Sequence, residues 1–364
     1  MFMKRALRLA RKGRGLVSPN PMVGAVVVRN GRVVGEGFHR YDQVDHAEAI
    51  ALRWAGELAR GATLYVTLEP CSHQGRTPPC VEATLQAGIT RVVVGCADPN
   101  PRVGGAGIER LRTGGVSVEV GTCRADALRL NEVFFHFVQT AKPFMLLKLA
   151  LTLDGRIAAP NRTSRWITGE SARRLVQRTR FECDAVLIGS GTLLADDPDL
   201  SVRSRRNKSI RKVILDSRLR TPPQARIFQS GDPVTIFHAP EAAPDRVESL
   251  RRKVADLIEV EREEAGLRWD RILDELASRG VTSVLAEGGA QVAASLVEKG
   301  LPNRYHLYYG PKLVGSNGVA SFGPLSVDSM EDAAPLVIER IRRLGPDLLI
   351  DAVPGGGARP DLAR

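Results

Sequence analysis

Aromatic residues make up only 5% of this 364-residue chain, and no run approaches the roughly 20 consecutive apolar residues that a membrane-spanning helix needs. The second absence excludes a helical membrane protein. The first counts against nucleic-acid binding, which combines basic stripes with stacking aromatics. A net charge of +11 points the other way at first sight. However, residues 1–141 carry 18 basic and 12 acidic side chains and the remainder 34 and 29, so the excess is spread without a dense basic block. The charge reads as a solvated surface serving anionic small molecules, with no nucleic-acid partner and no membrane.

Other features are missing too. Five cysteines, an odd number, come without a secretory signal, which argues against a disulfide framework and for the cytoplasm. Cys96, Cys123 and Cys183 then read as small buried apolar residues. No G-x-G-x-x-G follows a strand, so a Rossmann nucleotide site is unsupported. There is no internal repeat. The basic, amphipathic segment from Phe2 to Arg11 has the character of a transit peptide. Leu16-Val17-Ser18-Pro19-Asn20-Pro21 already reads as part of a site, which leaves no disposable leader.

The 43% hydrophobic content is that of a soluble globular protein, and the length suits two domains. Asn30-Gly31 between apolar runs predicts a hairpin over 22–40. Helical patterns follow near 46–58, from Pro79 and over 124–139, with strands at 62–68, 91–95 and 116–120. After Lys142-Pro143 the alternation restarts, with strands at 144–149, 185–188, 212–215, 234–237, 283–286 and 304–309. Helices are predicted near 170–180, 268–279 and 290–299. This is α/β layering in two domains, 1–141 and 142–353. A glycine-rich tail, 354–364, reads as disordered.

The most informative pattern is His46-Ala47-Glu48, then Glu69-Pro70-Cys71 and Pro79-Cys80. One imidazole and two thiolates suit a tetrahedral Zn²⁺ with its fourth position open to water. His46 and Glu48 can serve one centre only from a helix N-terminus, for which Asp45 is an acceptable cap. Pro79 fits the first helical position and puts Cys80 in the first turn. Two helix N-termini would favour thiolate, and Glu48 would carry protons. The pattern matches that of hydrolytic base deaminases, although eight residues separate the cysteines instead of two. A structural zinc with His73 as fourth ligand is the competing reading.

With the loop Ser18-Pro19-Asn20-Pro21-Met22-Val23-Gly24, the insert between the cysteines, Asp98-Pro99-Asn100-Pro101 and Leu130-Asn131, the sequence resembles the bifunctional riboflavin-biosynthesis deaminase–reductases. The second half adds Lys148-Leu149-Ala150, Leu153-Asp154-Gly155, Ser164-Arg165-Trp166-Ile167-Thr168, the run Gly191 to Pro198, and Glu287-Gly288-Gly289. The resemblance spans about residues 2 to 351. It implies a cytidine-deaminase-like three-layer domain followed by a dihydrofolate-reductase-like α/β domain. It also implies zinc and NADPH as cofactors and a homo-oligomer, dimer or tetramer. The implied chemistry is hydrolytic deamination of a diaminopyrimidinone ribosylamino 5′-phosphate, then reduction of its ribose to a ribityl chain.

By that resemblance, His46, Cys71 and Cys80 hold zinc, Glu48 is the catalytic proton donor and Asn20 contacts the pyrimidine. Arg76 suits the substrate phosphate, since a guanidinium matches phosphate geometry; a solvated loop charge is its alternative. Cofactor positions carry over to Ala150, Trp166, Thr192, Asp196, Ser217 and the segment from Gly289. Substrate positions carry over to Lys148, Ser164, Arg180, Leu200, Arg203 and Glu287. Trp166 could instead be a core aromatic, and Arg180 or Arg203 a surface ion pair. The basic stretch with Arg205 and Arg206 is a candidate for reading the 2′-phosphate of NADPH. A zinc deaminase acting on RNA, with a C-terminal binding domain, is the alternative function.

Overall fold

The computed structural model describes residues 1–42, 45–74, 78–100, 104–203, 208–263 and 266–356. The chain divides into two compact units between Ala141 and Lys142.

In the first unit, β1 (Gly24–Arg29) and β2 (Arg32–Phe38) form a hairpin whose turn is Asn30-Gly31, at φ +49° and +74°. Both values belong to the type I′ turn that matches strand twist, and Asn and Gly tolerate them best. β3 (Thr63–Val66), β4 (Arg91–Val94) and β5 (Ser117–Val120) complete a five-stranded sheet in the order β2-β1-β3-β4-β5. Successive strand residues face opposite sides. Val27 joins α2 (Ala47–Ala55), α3 (Cys80–Gln86) and α4 (Ala106–Thr113) in one core. Val26 and Val28 join α1 (Phe2–Ala10), α5 (Arg124–Leu130) and α6 (Glu132–Thr140) in another. The result is three layers. The basic N-terminal segment is therefore a structural helix, with Met3, Ala6, Leu7 and Ala10 buried against the sheet.

Helix α2 lies directly on β2 because Gly37 leaves room: a Cβ there would sit 2.1 Å from the Ala47 carbonyl. That close approach sets where the N-terminus of α2, and thus His46, falls. The predicted helix over 124–139 is broken at Asn131 into α5 and α6. The Asn131 side chain accepts from the Met22 N–H (2.8 Å) and donates to the Met22 carbonyl (3.0 Å). It clamps the loop that carries Asn20.

The second unit contains β6 (Phe144–Thr152), β8 (Ala185–Gly189), β9 (Arg211–Leu215), β10 (Val234–His238), β11 (Asp256–Glu259), β14 (Ser283–Glu287), β15 (Arg304–Gly310), β17 (Leu336–Leu344) and β18 (Asp347–Pro354). They form one sheet in the order β11-β10-β9-β8-β14-β6-β15-β18-β17. Short pairs join β7 (Arg156–Ala158) to β16 (Val319–Ala320) and β12 (Arg262–Glu263) to β13 (Gly266–Leu267). The helices are α7 (Glu170–Glu182), α8 (Ser190–Asp196), α9 (Pro244–Arg251), α10 (Trp269–Ser278) and α11 (Ala290–Glu298). The strands from β11 to β15 run parallel. They are apolar on both faces, as doubly covered parallel strands must be: Leu187 enters one core cluster, Val186 and Ile188 the other.

One expectation needs correcting. Pro354 does not open a structureless tail; it closes β18 opposite Leu336, in an antiparallel arm that periodicity did not reveal. Residues 357–364 lie outside the described residues.

Candidate active sites

His46 is the N-cap of α2 and Cys80 the first residue of α3, so the two helix N-termini converge. The capping residue is thus His46 itself, not Asp45, whose carboxylate is paired with Arg53. Pro79 likewise caps α3 instead of occupying its first turn. Cys71 is in the loop after β3, and the Cys80 N–H reaches its sulfur at 3.3 Å. His46 Nδ1 lies 3.2 Å from Cys80 Sγ and 3.5 Å from Cys71 Sγ. The three ligand atoms fall within 4.8 Å of one another. One nitrogen and two sulfurs at this separation fit a tetrahedral zinc with one position left for solvent. His73 is exposed and outside this cluster, which removes the fourth protein ligand that a structural zinc would use.

Electrostatics split the two thiols, which share one proton across their hydrogen bond: that bond and burial push Cys80 well above its ordinary range. A hydrogen bond from Cys80, with another from His46, holds the Cys71 thiol far below its ordinary range. Glu48, in the first turn of α2, is only 3% exposed. Burial, reinforced by the charge of Cys71, pushes its carboxyl up to about 7, a value suited to taking and returning a proton near neutrality.

Two neighbours escaped notice in the sequence. The Nδ1 of His39 faces the Asp45 carbonyl (3.2 Å), and its Nε2 meets the Asn20 amide nitrogen at 3.0 Å. Burial lowers the His39 pKa, so a neutral ring donates from Nδ1 and accepts from Asn20. Glu69, despite belonging to the E-P-C motif, is a scaffold. Its buried carboxylate accepts N–H groups of Asp98, Gly105, Gly107 and Ile108, tying the loop before α4 to the cysteine loop. Its place next to Cys71 gave the only sequence signal. Arg76 lies outside the described residues.

The second unit holds a cavity of about 1220 Å³. Eleven of the twelve reductase positions line it: Lys148, Ala150, Ser164, Trp166, Arg180, Thr192, Asp196, Leu200, Arg203, Glu287 and Gly289. Ser217 is not among the lining residues; its carbonyl accepts the Ala239 N–H in the loop after β9. Eight basic and four acidic side chains line the cavity, an excess that favours anionic ligands. Arg205 and Arg206 fall outside the described residues.

Lys148 on β6 and Glu287 on β14 are register partners on adjacent parallel strands. The Glu287 carboxylate accepts from Arg180 through both oxygens and lies 3.6 Å from Lys148 Nζ. Burial works to raise the Glu287 pKa, yet Arg180 and Lys148 outweigh it and hold the carboxyl below its ordinary range. Arg180 is therefore in a buried ion pair, not a surface one. Trp166 is 59% exposed, which excludes the core-aromatic alternative; the Arg173 guanidinium lies 4.3 Å from its ring centre. Ser164 donates to Asp196 at 2.9 Å, joining a predicted substrate position to a predicted cofactor position.

Comparison with known proteins places two families on the chain. The family of the RibD C-terminal domain matches residues 143–350, and that of the cytidine and deoxycytidylate deaminase zinc-binding region matches residues 1–96. The chain is 41% identical to the riboflavin biosynthesis protein RibD of Bacillus amyloliquefaciens, over 99% of this chain and 97% of that protein. A structure of Acinetobacter baumannii RibD superposes with a TM-score of 0.86 at 37% identity, covering 97% of this chain and 98% of that one. A diaminohydroxyphosphoribosylaminopyrimidine deaminase/5-amino-6-(5-phosphoribosylamino)uracil reductase from Thermotoga maritima gives 0.85 at 36% identity with the same coverage.

Proposed function

This chain belongs to the RibD family of bifunctional riboflavin-biosynthesis enzymes, and on that premise we propose how its residues divide the work. It is a zinc-dependent deaminase and an NADPH-dependent reductase. Residues 1–141 carry the first activity and 142–353 the second. The substrate is 2,5-diamino-6-ribosylamino-4(3H)-pyrimidinone 5′-phosphate. The alternative of an RNA deaminase finds no support, because the relatives match over both units.

The observation that carries the deaminase reading is the convergence of His46, Cys71 and Cys80 beside the buried Glu48. Zinc held by those three supplies Lewis acidity, which brings the pKa of water toward about 7. Glu48 accepts the first proton from the attacking water and passes it to the ring nitrogen, then carries the second, from the added hydroxyl, to the departing amine. Water adds to the amino-bearing ring carbon, the carbon–nitrogen bond breaks, and ammonia leaves. Asn20, braced by His39, orients the pyrimidine.

In the second unit, NADPH would supply the reducing equivalent for the ribose. Trp166, Thr192, Asp196 and the Gly289 segment would hold the cofactor. Lys148 and Arg180, fixed by Glu287, and Arg203 would bind the ribose phosphate region. Thr192 Oγ1 lies 3.0 Å from where a Cβ on Gly289 would be, so a larger residue there would crowd that wall. Five cysteines, two of them placed to hold zinc and none in a disulfide, suit the cytoplasm. The edge strand β17 exposes Val337, Ile338 and Ile341, a surface that suits a homo-oligomer.

Turnover in ¹⁸O-labelled water with NADPH tests this reading. Mass spectrometry should show one ¹⁸O replacing the amino group, followed by gain of two hydrogens. A product that gains hydrogen and keeps both amino groups would refute the order of steps.

A further inference from the structure

Lys212 is the second residue of β9 and is completely buried, flanked by Val213 and Ile214 of the core. Burying an ammonium group is costly unless it is fully partnered. Here it is partnered by two separate connections, the one between α8 and β9 and the one between β9 and β10. Its Nζ, with three protons to donate, lies within hydrogen-bond distance of Asp199 Oδ1 (3.2 Å), Ser201 Oγ (3.1 Å), the Ile227 carbonyl (3.2 Å) and Ser230 Oγ (2.5 Å), and 3.4 Å from Asp232 Oδ2. The Ser201 hydroxyl lies 2.6 Å from Asp199 Oδ1 and 3.1 Å from Asp232 Oδ2, and its one proton goes to one or the other. Ser209 donates to Asp232 at 3.0 Å.

Two of these contacts bracket one residue. Leu200, between Asp199 and Ser201, has φ +62°, a left-handed conformation that is strained for a non-glycine residue. Its side chain is buried against Ile188 and Leu193 and also lines the cavity. Three residues on, the Arg203 backbone N–H is held by Gln177 Oε1 at 3.1 Å. Lys212 itself is not part of the cavity wall.

We propose that Lys212 is a positioning residue for the reductase: its buried ammonium pins Asp199 and Ser201, so that Leu200 and Arg203 face the substrate. The proposal rests on the reading that Leu200 and Arg203 contact the substrate. Such remote bracing matters because a misplacement of about 1 Å in a binding wall can cost up to about 10²-fold.

The test measures the reductase with 5-amino-6-(5-phosphoribosylamino)uracil and NADPH, using the full chain. Lys212→Met should raise the substrate KM about tenfold, with kcat within about twofold. NADPH affinity and ammonia release should be unchanged. Ser230→Ala, a milder change at a Lys212 partner outside the cavity wall that keeps the ammonium and both carboxylates, should raise the same KM about threefold. A fall in kcat, NADPH affinity and melting temperature together, in both variants, would mark Lys212 as a folding hub only and overturn the proposal. Arg203→Ala separates the two levels. If it raises KM and neither hub variant does, bracing by Lys212 is wrong while the substrate assignment survives. If the hub variants raise KM and Arg203→Ala does not, Lys212 acts through Leu200 and the Arg203 assignment falls. No KM change in any of the three overturns both.

Discussion

The two sites of this protein are built in opposite ways. In the first unit the metal ligands come from two helix N-termini and one loop, within a span of His46 to Cys80. In the second, the cavity collects residues from Lys148 to Tyr308. A metal demands particular atoms at fixed separations, so its ligands leave a compact signature. A cavity for large anionic ligands demands shape and charge that many residues supply together, and its signature is diffuse. The two should also fail differently, and separately.

Zinc removal should give the largest separation. A chelator should abolish ammonia release, and re-added zinc should restore it, while NADPH oxidation with supplied 5-amino-6-(5-phosphoribosylamino)uracil continues. Glu48→Gln follows: ammonia release should fall by about 10³-fold with zinc content unchanged, as metal analysis would show. Retained turnover would remove Glu48 from proton transfer.

Glu287→Gln acts on the other side of the comparison. It leaves two largely buried cations without their carboxylate, a loss of about 3 kcal/mol or more in denaturant unfolding of the second unit. The pH dependence has a definite sign. The folded-state pKa of Glu287 is depressed, so its stabilisation is present above the unfolded-state pKa and is lost as pH falls through the folded value. Wild-type stability should therefore decline below the ordinary carboxylate range, and the Gln variant should lack that component of the decline.

The smallest effect is Asn131→Ala. It removes two hydrogen bonds to Met22 and should cost about 1–2 kcal/mol of first-unit stability. Calorimetry should show only the first unit's transition move.

Legibility in the sequence followed the same contrast. The Asn30-Gly31 hairpin and the parallel strands were readable because turn chemistry and apolar runs are local. The break at Asn131 was not, since a side chain clamping residue 22 leaves no mark on helical periodicity. The β17–β18 arm was missed because most of its residues are charged or exposed, without a clean alternation. The zinc ligands and Glu48 were visible from spacing alone. Most of the reductase positions became visible only through resemblance, and the role of Lys212 through neither spacing nor resemblance, since its partners lie 11 to 20 residues away in separate loops.

The most direct test of two separable sites follows ammonia and NADPH in one reaction, starting from the diaminopyrimidinone ribosylamino phosphate. Ammonia should appear first and NADPH loss second. A chelator should stop both signals, and adding the deaminated intermediate should restore NADPH loss alone. NADPH loss without ammonia, or a chelated enzyme that cannot reduce the supplied intermediate, would contradict the account.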